Sequence, residues 1–328
     1  MKELIERFIP QVNEALEIGQ KAEIHPHTSE IHNVFISGMG GSGIGANFVQ
    51  DFVRDVASVP VMVGKGYSIP SWINKNTLAI VSSYSGNTEE TLACFEQLLT
   101  TGAKIVAVSS GGKIIELAKQ HNLDHIILPG GWPSPRACLG FSFTQQMCIL
   151  EKLGIIPNEL IQQIRSGNAL LEADSENIQE KARHIAQILQ DKIPVIYTTD
   201  RMEAVGIRFR QQVNENAKML CWHHVIPEMN HNELVGWRNP YQQLGVIVFR
   251  NRDDVPRNAA RIDINKTIIT EYTNTWIEVY SKGNNLIEKS MYLVHLGDWI
   301  SMHLSIFRNV DPDEIKVIDY LKEELSHL

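Results

Sequence analysis

Short β-branched runs alternate with stretches of three-to-four-residue apolar periodicity through the first half of the chain. The runs near Val34, Val61, Ala79, Ile105 and Ile126 read as strands, and the periodic stretches that begin near Ile44, Thr88 and Ile114 as helices. Strand and helix in turn imply an α/β fold with an open parallel sheet covered on both faces. Residues 143–189 form a long polar–apolar periodic stretch broken at 154–157, which predicts two connecting helices and contains the domain boundary. The pattern then restarts, with strands at 194–198, 244–249 and 276–280, a helix over 201–220 and a long helix over 287–307, while 251–257 reads as a charged loop. At the N-terminus Leu4, Ile5, Phe8, Ile9, Val12 and Leu16 are set among charges, an amphipathic helical pattern bent at Pro10 rather than a signal peptide or membrane span. Two α/β halves without a close sequence repeat predict pseudo-symmetric domains that bind ligand at strand C-termini where the halves meet.

Two turns interrupt this pattern with chemistry. Gly38-Met39-Gly40-Gly41-Ser42-Gly43 and Ser83-Tyr84-Ser85-Gly86-Asn87-Thr88 each join a strand to a helix. In the first, glycines let bare amides converge at a helix N-terminus, where the dipole favours an anion. In the second, Asn87 with Glu90 marks the helix start and leaves Ser83, Ser85 and Thr88 to donate to phosphate oxygens. Neither turn carries the lysine of a Walker A loop, which argues against a nucleoside triphosphate. The first turn also matches the glycine pattern of dinucleotide folds, but the second strand runs into Gly64-Lys65-Gly66 instead of an acidic residue for a ribose, and a lysine there suits an anion. Close helix–strand packing is the other reading of the glycines. Packing has no use for three hydroxyls in six residues.

The chain of 328 residues has room for two cores, and 43% hydrophobic content is that of a soluble globular protein. A formal charge of −8 argues against nucleic-acid or anionic-membrane binding, so a phosphate must be held locally. Cys94, Cys138, Cys148 and Cys221 form no C-x-x-C pair and lie in apolar surroundings, which predicts reduced, mostly buried thiols and a cytoplasmic location.

Together the two turns resemble the first half of a sugar isomerase (SIS) domain protein. More narrowly, Pro135-Arg136-Ala137, Asn214-Glu215-Asn216-Ala217-Lys218 and Asn230-His231-Asn232-Glu233 resemble segments of the bifunctional phosphoglucose/phosphomannose isomerases, a resemblance that runs over residues 33–322. It implies two SIS-type domains, 1–152 with the phosphate-binding turns and 153–328 with connecting helices and catalytic groups, each a mostly parallel sheet flanked by helices.

On its own, Glu215 reads as a solvated glutamate, about 200° round the helix from the Val205, Phe209 and Val213 stripe. The resemblance makes it the base that moves a proton between neighbouring carbons through an enediol. His231 lies in a loop, and with His223, His224 and Glu233 falls within eleven positions, which opens a metal-binding alternative, although no helical H-x-x-x-H spacing supports it. The resemblance instead has His231 help open the sugar ring, reaching the site from the partner of a homodimer, and needs neither metal nor cofactor. Arg136 follows Pro133-Ser134-Pro135, an extended segment, and is implied to stabilise the enediolate. A last helix starting at Asp311-Pro312 places Lys322 within an apolar stripe of Ile315, Ile318 and Leu325; snorkelling accounts for it, while the resemblance implies ring opening. The implied phosphate ligands are Gly41, Ser42, Ser83, Ser85 and Thr88, and the implied reaction converts glucose 6-phosphate or mannose 6-phosphate to fructose 6-phosphate. A non-catalytic sugar-phosphate sensor and an isomerase of another sugar phosphate are the rival readings.

Overall fold

The computed structural model describes residues 1–325 and 327. From the N-terminus the chain runs through α1 (Lys2–Glu6), α2 (Phe8–Lys21), β1 (Asn33–Ser37), α3 (Gly40–Val53), β2 (Val61–Gly64), β3 (Thr77–Ser82), α4 (Glu89–Leu98), β4 (Lys104–Ser109), α5 (Gly112–Gln120) and β5 (Asp124–Ile127). Three helices follow: α6 (Leu139–Lys152), α7 (Glu159–Ala173) and α8 (Ser175–Leu189). The second alternating half comprises β6 (Ile193–Thr199), α9 (Glu203–Ala217), β7 (Trp222–Ile226), β8 (Leu244–Arg250), α10 (Pro256–Ile269), β9 (Trp276–Tyr280), α11 (Leu286–Phe307) and α12 (Lys316–Leu325). Among the described residues no helix is long and apolar enough to cross a membrane.

The chain divides into two compact units. One consists of Glu6–Ala173 with Gly283–Met291, the other of Met1–Ile5, Asp174–Lys282 and Tyr292–Leu328. The N-terminal unit holds a five-stranded sheet in the order β2-β1-β3-β4-β5, and the C-terminal unit a four-stranded sheet in the order β7-β6-β8-β9. All pairings in both sheets are parallel. A parallel sheet needs helices over both faces, so its central strands are apolar throughout. Accordingly all six residues of β3 and all seven of β8 are buried, whereas the edge strands β2 and β5 expose Met62 and Ile127. Phe35, Val81, Phe95, Leu98 and Ile114 centre one core, and Val195, Tyr197, Val246, Val248 and Ile262 the other.

Both sheets share one topological device. From β1 the chain crosses through α3 to β2 on one side, and β3 then lies on the other side of β1. β6, β7 and β8 repeat it. Where the winding reverses, the helices that follow adjacent strands leave on opposite faces and open a crevice at the strands' C-terminal ends.

Several elements differ from the sequence reading. The N-terminal break falls at Arg7, because Pro10 sits in the first turn of α2, where its missing N–H has no helical acceptor to lose. The stretch after residue 143 holds three helices, not two, with Asp174 between α7 and α8 accepting from Asn177 Nδ2 at 2.9 Å. α3 begins four residues before Ile44, and α4 is capped at Thr88 rather than Asn87. α10 starts at Pro256, inside the segment read as a charged loop. The last helix begins only at Lys316, since Asp311 Oδ1 accepts from the Asp313 amide at 2.9 Å and closes a separate turn.

Candidate active site

The two turns singled out in the sequence emerge from adjacent strands at the reversal point of the N-terminal sheet. β1 pairs with β3 in the register Ser37↔Val81, so the Gly38 and Ser83 turns start side by side. Gly38 seals them together: a Cβ there would lie 2.9 Å from the Ser82 carbonyl oxygen. The Ser42 and Gly43 amides bond back to the Met39 carbonyl, both at 3.0 Å, and set the first helical turn of α3. The amides ahead of them point out of the helix end, where its dipole favours an anion. Ser42 is 8% exposed within this turn.

The second turn supplies hydroxyls. Ser83 Oγ and Thr88 Oγ1 share a hydrogen bond of 2.8 Å, and Ser83 Oγ accepts from the Gly86 amide at 3.2 Å. Ser85 is exposed, with a long bond of 3.3 Å from the Asn87 amide to its Oγ. Asn87 faces away: its Oδ1 accepts from the Lys113 amide at 3.0 Å and pins the turn to the start of α5. Ser109 and Ser110 complete the brace by donating to the Tyr84 carbonyl at 3.3 and 2.7 Å. The hydroxyls thus have rigid backing.

Arg136 joins this pocket. The extended backbone expected around it ends at Ser134, and Pro135–Cys138 winds into a 3-10 turn that buries Arg136 to 7% exposure. This turn lies against Gly41, where a Cβ would stand 2.7 Å from the Pro135 carbonyl oxygen and 3.3 Å from Arg136 Cα. Lys65, which entered the sequence reading only as an argument against a dinucleotide, crosses α3 beside the same turn. A Cβ on Gly43 would come 3.1 Å from Lys65 Cε, and Lys65 Nζ bonds Asn47 Oδ1. Gly41, Ser42, Ser83, Ser85 and Thr88 therefore lie on two turns that start side by side, with the Arg136 backbone packed against the first.

The remaining candidates lie in the C-terminal unit. Glu215 is half-buried in the last turn of α9. Lys218, left-handed at φ 55°, caps that helix, and its Nζ donates to the Glu215 carbonyl at 2.5 Å and the Glu314 carbonyl at 2.6 Å. The helix end and the lead-in to α12 are thereby tied together. The flanking amides are structural: Asn214 Nδ2 donates to the Met219 carbonyl at 2.7 Å, and Asn216 Nδ2 to Ser301 Oγ at 2.9 Å. A buried pair, Arg208 and Asp298, joined at 3.2 and 3.0 Å, fixes α9 to α11. Lys322 is exposed on α12, whose residues are all exposed, so no apolar stripe is buried around it.

His231 stands elsewhere. β7 runs parallel to β6, so α9 must return to the edge where the strands begin, which is where Glu215 lies. His231 follows β7 in a loop that turns back along the sheet, since Glu233 Oε1 meets the indole of Trp222 at the start of β7 and Asn230 meets Asn265 in the second half of α10. The two turns lie at strand C-termini, whereas Glu215 lies where the strands of its sheet begin. His223 and His224, as strand neighbours, face opposite ways, with Glu203 3.8 Å from His223 Nε2 and the Val225 amide donating to His224 Nδ1 at 2.8 Å. The neighbouring His223 holds the Glu203 carboxyl below its usual range against the opposing effect of burial. Among the described residues no three His, Cys, Asp or Glu side chains stand together to hold a metal ion. Cys94, Cys138 and Cys148 are buried free thiols, and Cys221 is a half-buried one whose thiol burial pushes up to about 12.

Comparison with known proteins adds relatives to this geometry. Residues 28–141 match the SIS domain family, and residues 178–325 the bacterial phospho-glucose isomerase C-terminal SIS domain. A bifunctional phosphoglucose/phosphomannose isomerase of Caldicellulosiruptor bescii is 35% identical over 338 residues, covering 100% of this chain and 99% of that protein. One of the same description from Aquifex aeolicus is 34% identical, covering 89% of this chain and 90% of that protein. The fold is shared with the C-terminal domain of glucosamine-fructose-6-phosphate aminotransferase from Francisella tularensis, at a TM-score of 0.76 and 13% identity, covering 95% of this chain and 98% of that one. With two full-length relatives above 30% identity and both halves matched in order, the chain belongs to the bifunctional phosphoglucose/phosphomannose isomerase family.

Proposed function

We propose that the chain is a sugar-phosphate isomerase that interconverts glucose 6-phosphate and mannose 6-phosphate with fructose 6-phosphate. The observation that carries this reading is the pair of adjacent turns of the N-terminal sheet, which bring a helix N-terminus and the Ser83, Ser85 and Thr88 hydroxyls side by side, with the Arg136 turn packed against Gly41. Gly41, Ser42, Ser83, Ser85 and Thr88 bind the phosphate through amides and hydroxyls. His231 and Lys322 move the protons that open the sugar ring. Glu215 then takes the proton from C2 of the open aldose, the C–H pair becomes the C1–C2 double bond, and charge gathers on O1. Arg136, charged at any working pH, stabilises that enediolate. The O2 hydroxyl proton passes to O1, Glu215 returns its proton to C1, and the ketose results. C2 is planar in the intermediate, so glucose and mannose epimers converge on one species.

The exposed ring of His231, on an anchored loop at the surface of its own unit, supports a homodimer in which His231 serves the partner's site. Reduced cysteines support work in the cytoplasm.

The test mixes two inactive variants. Glu215→Gln should bind fructose 6-phosphate with little change yet lose at least ~10²-fold in turnover, and His231→Ala should also fall. After verified subunit exchange, mixing them should restore part of the activity, because a hybrid contains one intact site. Wild-type protein should also exchange a substrate carbon-bound proton with deuterated water and keep its rate in chelator. Sugar-phosphate binding without isomerisation would establish the sensor reading instead, and a rate lost in chelator and restored by zinc the metal reading.

A further inference from the structure

Glu233 is used by none of the steps above, yet its carboxylate ties the His231 loop to two strands of the sheet. Its Oε1 accepts the Tyr197 hydroxyl at 2.5 Å and the Trp222 indole N–H at 3.3 Å. Tyr197 is fully buried in the middle of β6, and its hydroxyl accepts in turn from the Trp237 indole at 3.1 Å. Burial, followed by the adjacent Glu233 carboxylate, drives the Tyr197 pKa well above its ordinary value, so it remains a donor to Glu233. One hydrogen-bonded chain therefore links Trp222 at the start of β7, the sheet centre, and Trp237 beyond the loop, and Glu233 is the acceptor that closes it.

The loop between these anchors consists of two 3-10 turns, Glu228–His231 and Glu233–Gly236. Asn232 Oδ1 accepts from the Glu233 amide at 2.6 Å while its Nδ2 donates to Glu228 Oε1 at 2.9 Å. On the other side Asn230 Nδ2 donates to Asn265 Oδ1 of α10 at 2.6 Å. Both neighbours of His231 are thus tied down. Its own ring is exposed and, among the described residues, has no hydrogen-bonding partner. That is the arrangement of a group aimed outward from a rigid mount.

We infer that Glu233 is a positioning residue that fixes the orientation of His231 through the Tyr197–Glu233–Trp222 clamp. The inference rests on the reading that His231 acts on substrate. An apolar side chain filling the same space would spare the desolvation of a carboxylate, whereas directional bonds set where the loop points.

The experiment compares Glu233→Ala, Glu233→Gln and Tyr197→Phe with wild type, alone and with His231→Ala. Glu233→Ala and Tyr197→Phe should lower kcat at least ~10-fold with KM within about twofold, because phosphate binding lies in the other unit. Glu233→Gln, whose amide oxygen can accept both bonds, should recover most of the rate. In the His231→Ala background Glu233→Ala should lower kcat no further. Ring dynamics of His231 by NMR give a readout independent of turnover: rigid in wild type and Glu233→Gln, mobile in the other two. A ring equally rigid in all four proteins overturns the inference, as does an additive loss in the double variant. Wild-type kcat in His231→Ala would instead overturn the role of His231, while a ring loosened by Glu233→Ala would still uphold the clamp.

Discussion

Gly41→Ala isolates the contact on which the crevice depends. The new Cβ would stand 2.7 Å from the Pro135 carbonyl oxygen, so the α3 turn and the Arg136 turn must part by about 0.7 Å to reach the 3.4 Å at which ordinary contact begins. Both neighbours are backbone and cannot swing aside. A phosphate oxygen held at about 2.9 Å by an amide of one turn and by Arg136 on the other cannot keep both after such a displacement, since hydrogen bonds weaken steeply past ~3.5 Å. Losing one charge-assisted bond costs roughly 1.5–3 kcal/mol, or about 10- to 150-fold in affinity. Gly40→Ala is the comparison, because its left-handed φ of 50° makes alanine strained while its Cβ meets nothing within 4 Å. That change should lower stability by ~1–2 kcal/mol with a smaller loss of affinity. Titration calorimetry with a hexitol 6-phosphate, alongside thermal melts, reads both quantities. Equal affinity in Gly41→Ala and wild type would refute a phosphate held between these turns.

Three further outcomes follow from the same geometry. Ser42→Ala and Ser85→Ala should each weaken hexitol 6-phosphate binding by a few-fold to tens-fold, from ~1–2 kcal/mol per hydrogen bond, measured by calorimetry at fixed salt. Arg208→Ala leaves Asp298 buried without the partner that now meets it at 3.0 Å, and should cost roughly 3–5 kcal/mol in denaturant unfolding. Burial in α11 lowers the His295 pKa from 6.5 to about 4, with Asp298 partly opposing. The unfolded chain therefore takes up this proton first, so its contribution to stability is intact above pH 6.5 and declines by up to roughly 3 kcal/mol toward pH 4. His295→Gln should flatten that limb in chemical-denaturation curves, and an unaltered limb would disprove the assignment.

The central strands of the N-terminal sheet were legible because they are buried on both faces and therefore apolar almost throughout, as residues 77–82 are. β7 was not, since Trp-His-His-Val-Ile at a sheet edge mixes polar and apolar residues without alternation. α10 escaped because its stripe is diluted by Asn258, Asn265 and charges, although Pro256 at its first position was a signal. The two phosphate turns could be read because glycine and hydroxyl placement is local chemistry. The seating of Arg136 against Gly41 is a contact between segments about ninety-five positions apart, and no spacing rule contains it. The same holds for Glu215 and His231: sixteen positions separate them, and a strand and a loop that turns back along the sheet lie between. Glu233 entered the sequence reading only as one member of a metal-binding alternative, because its partners, Tyr197 and Trp222, are invisible until the sheet is assembled.

The two units are interlaced along the chain, and synthesis is directional. The N-terminal unit draws on Gly283–Met291, where Glu288 accepts from Ser166 Oγ at 2.5 Å, so it is incomplete when its first 173 residues have left the ribosome. At ~5–20 residues per second, the missing segment follows roughly 5–20 s later. The C-terminal unit includes Met1–Ile5, made first and held until Asp313 arrives to meet the terminal amine at 2.8 Å. No single cut or crossover separates such a chain into two whole parts. Its halves are inherited and matured together.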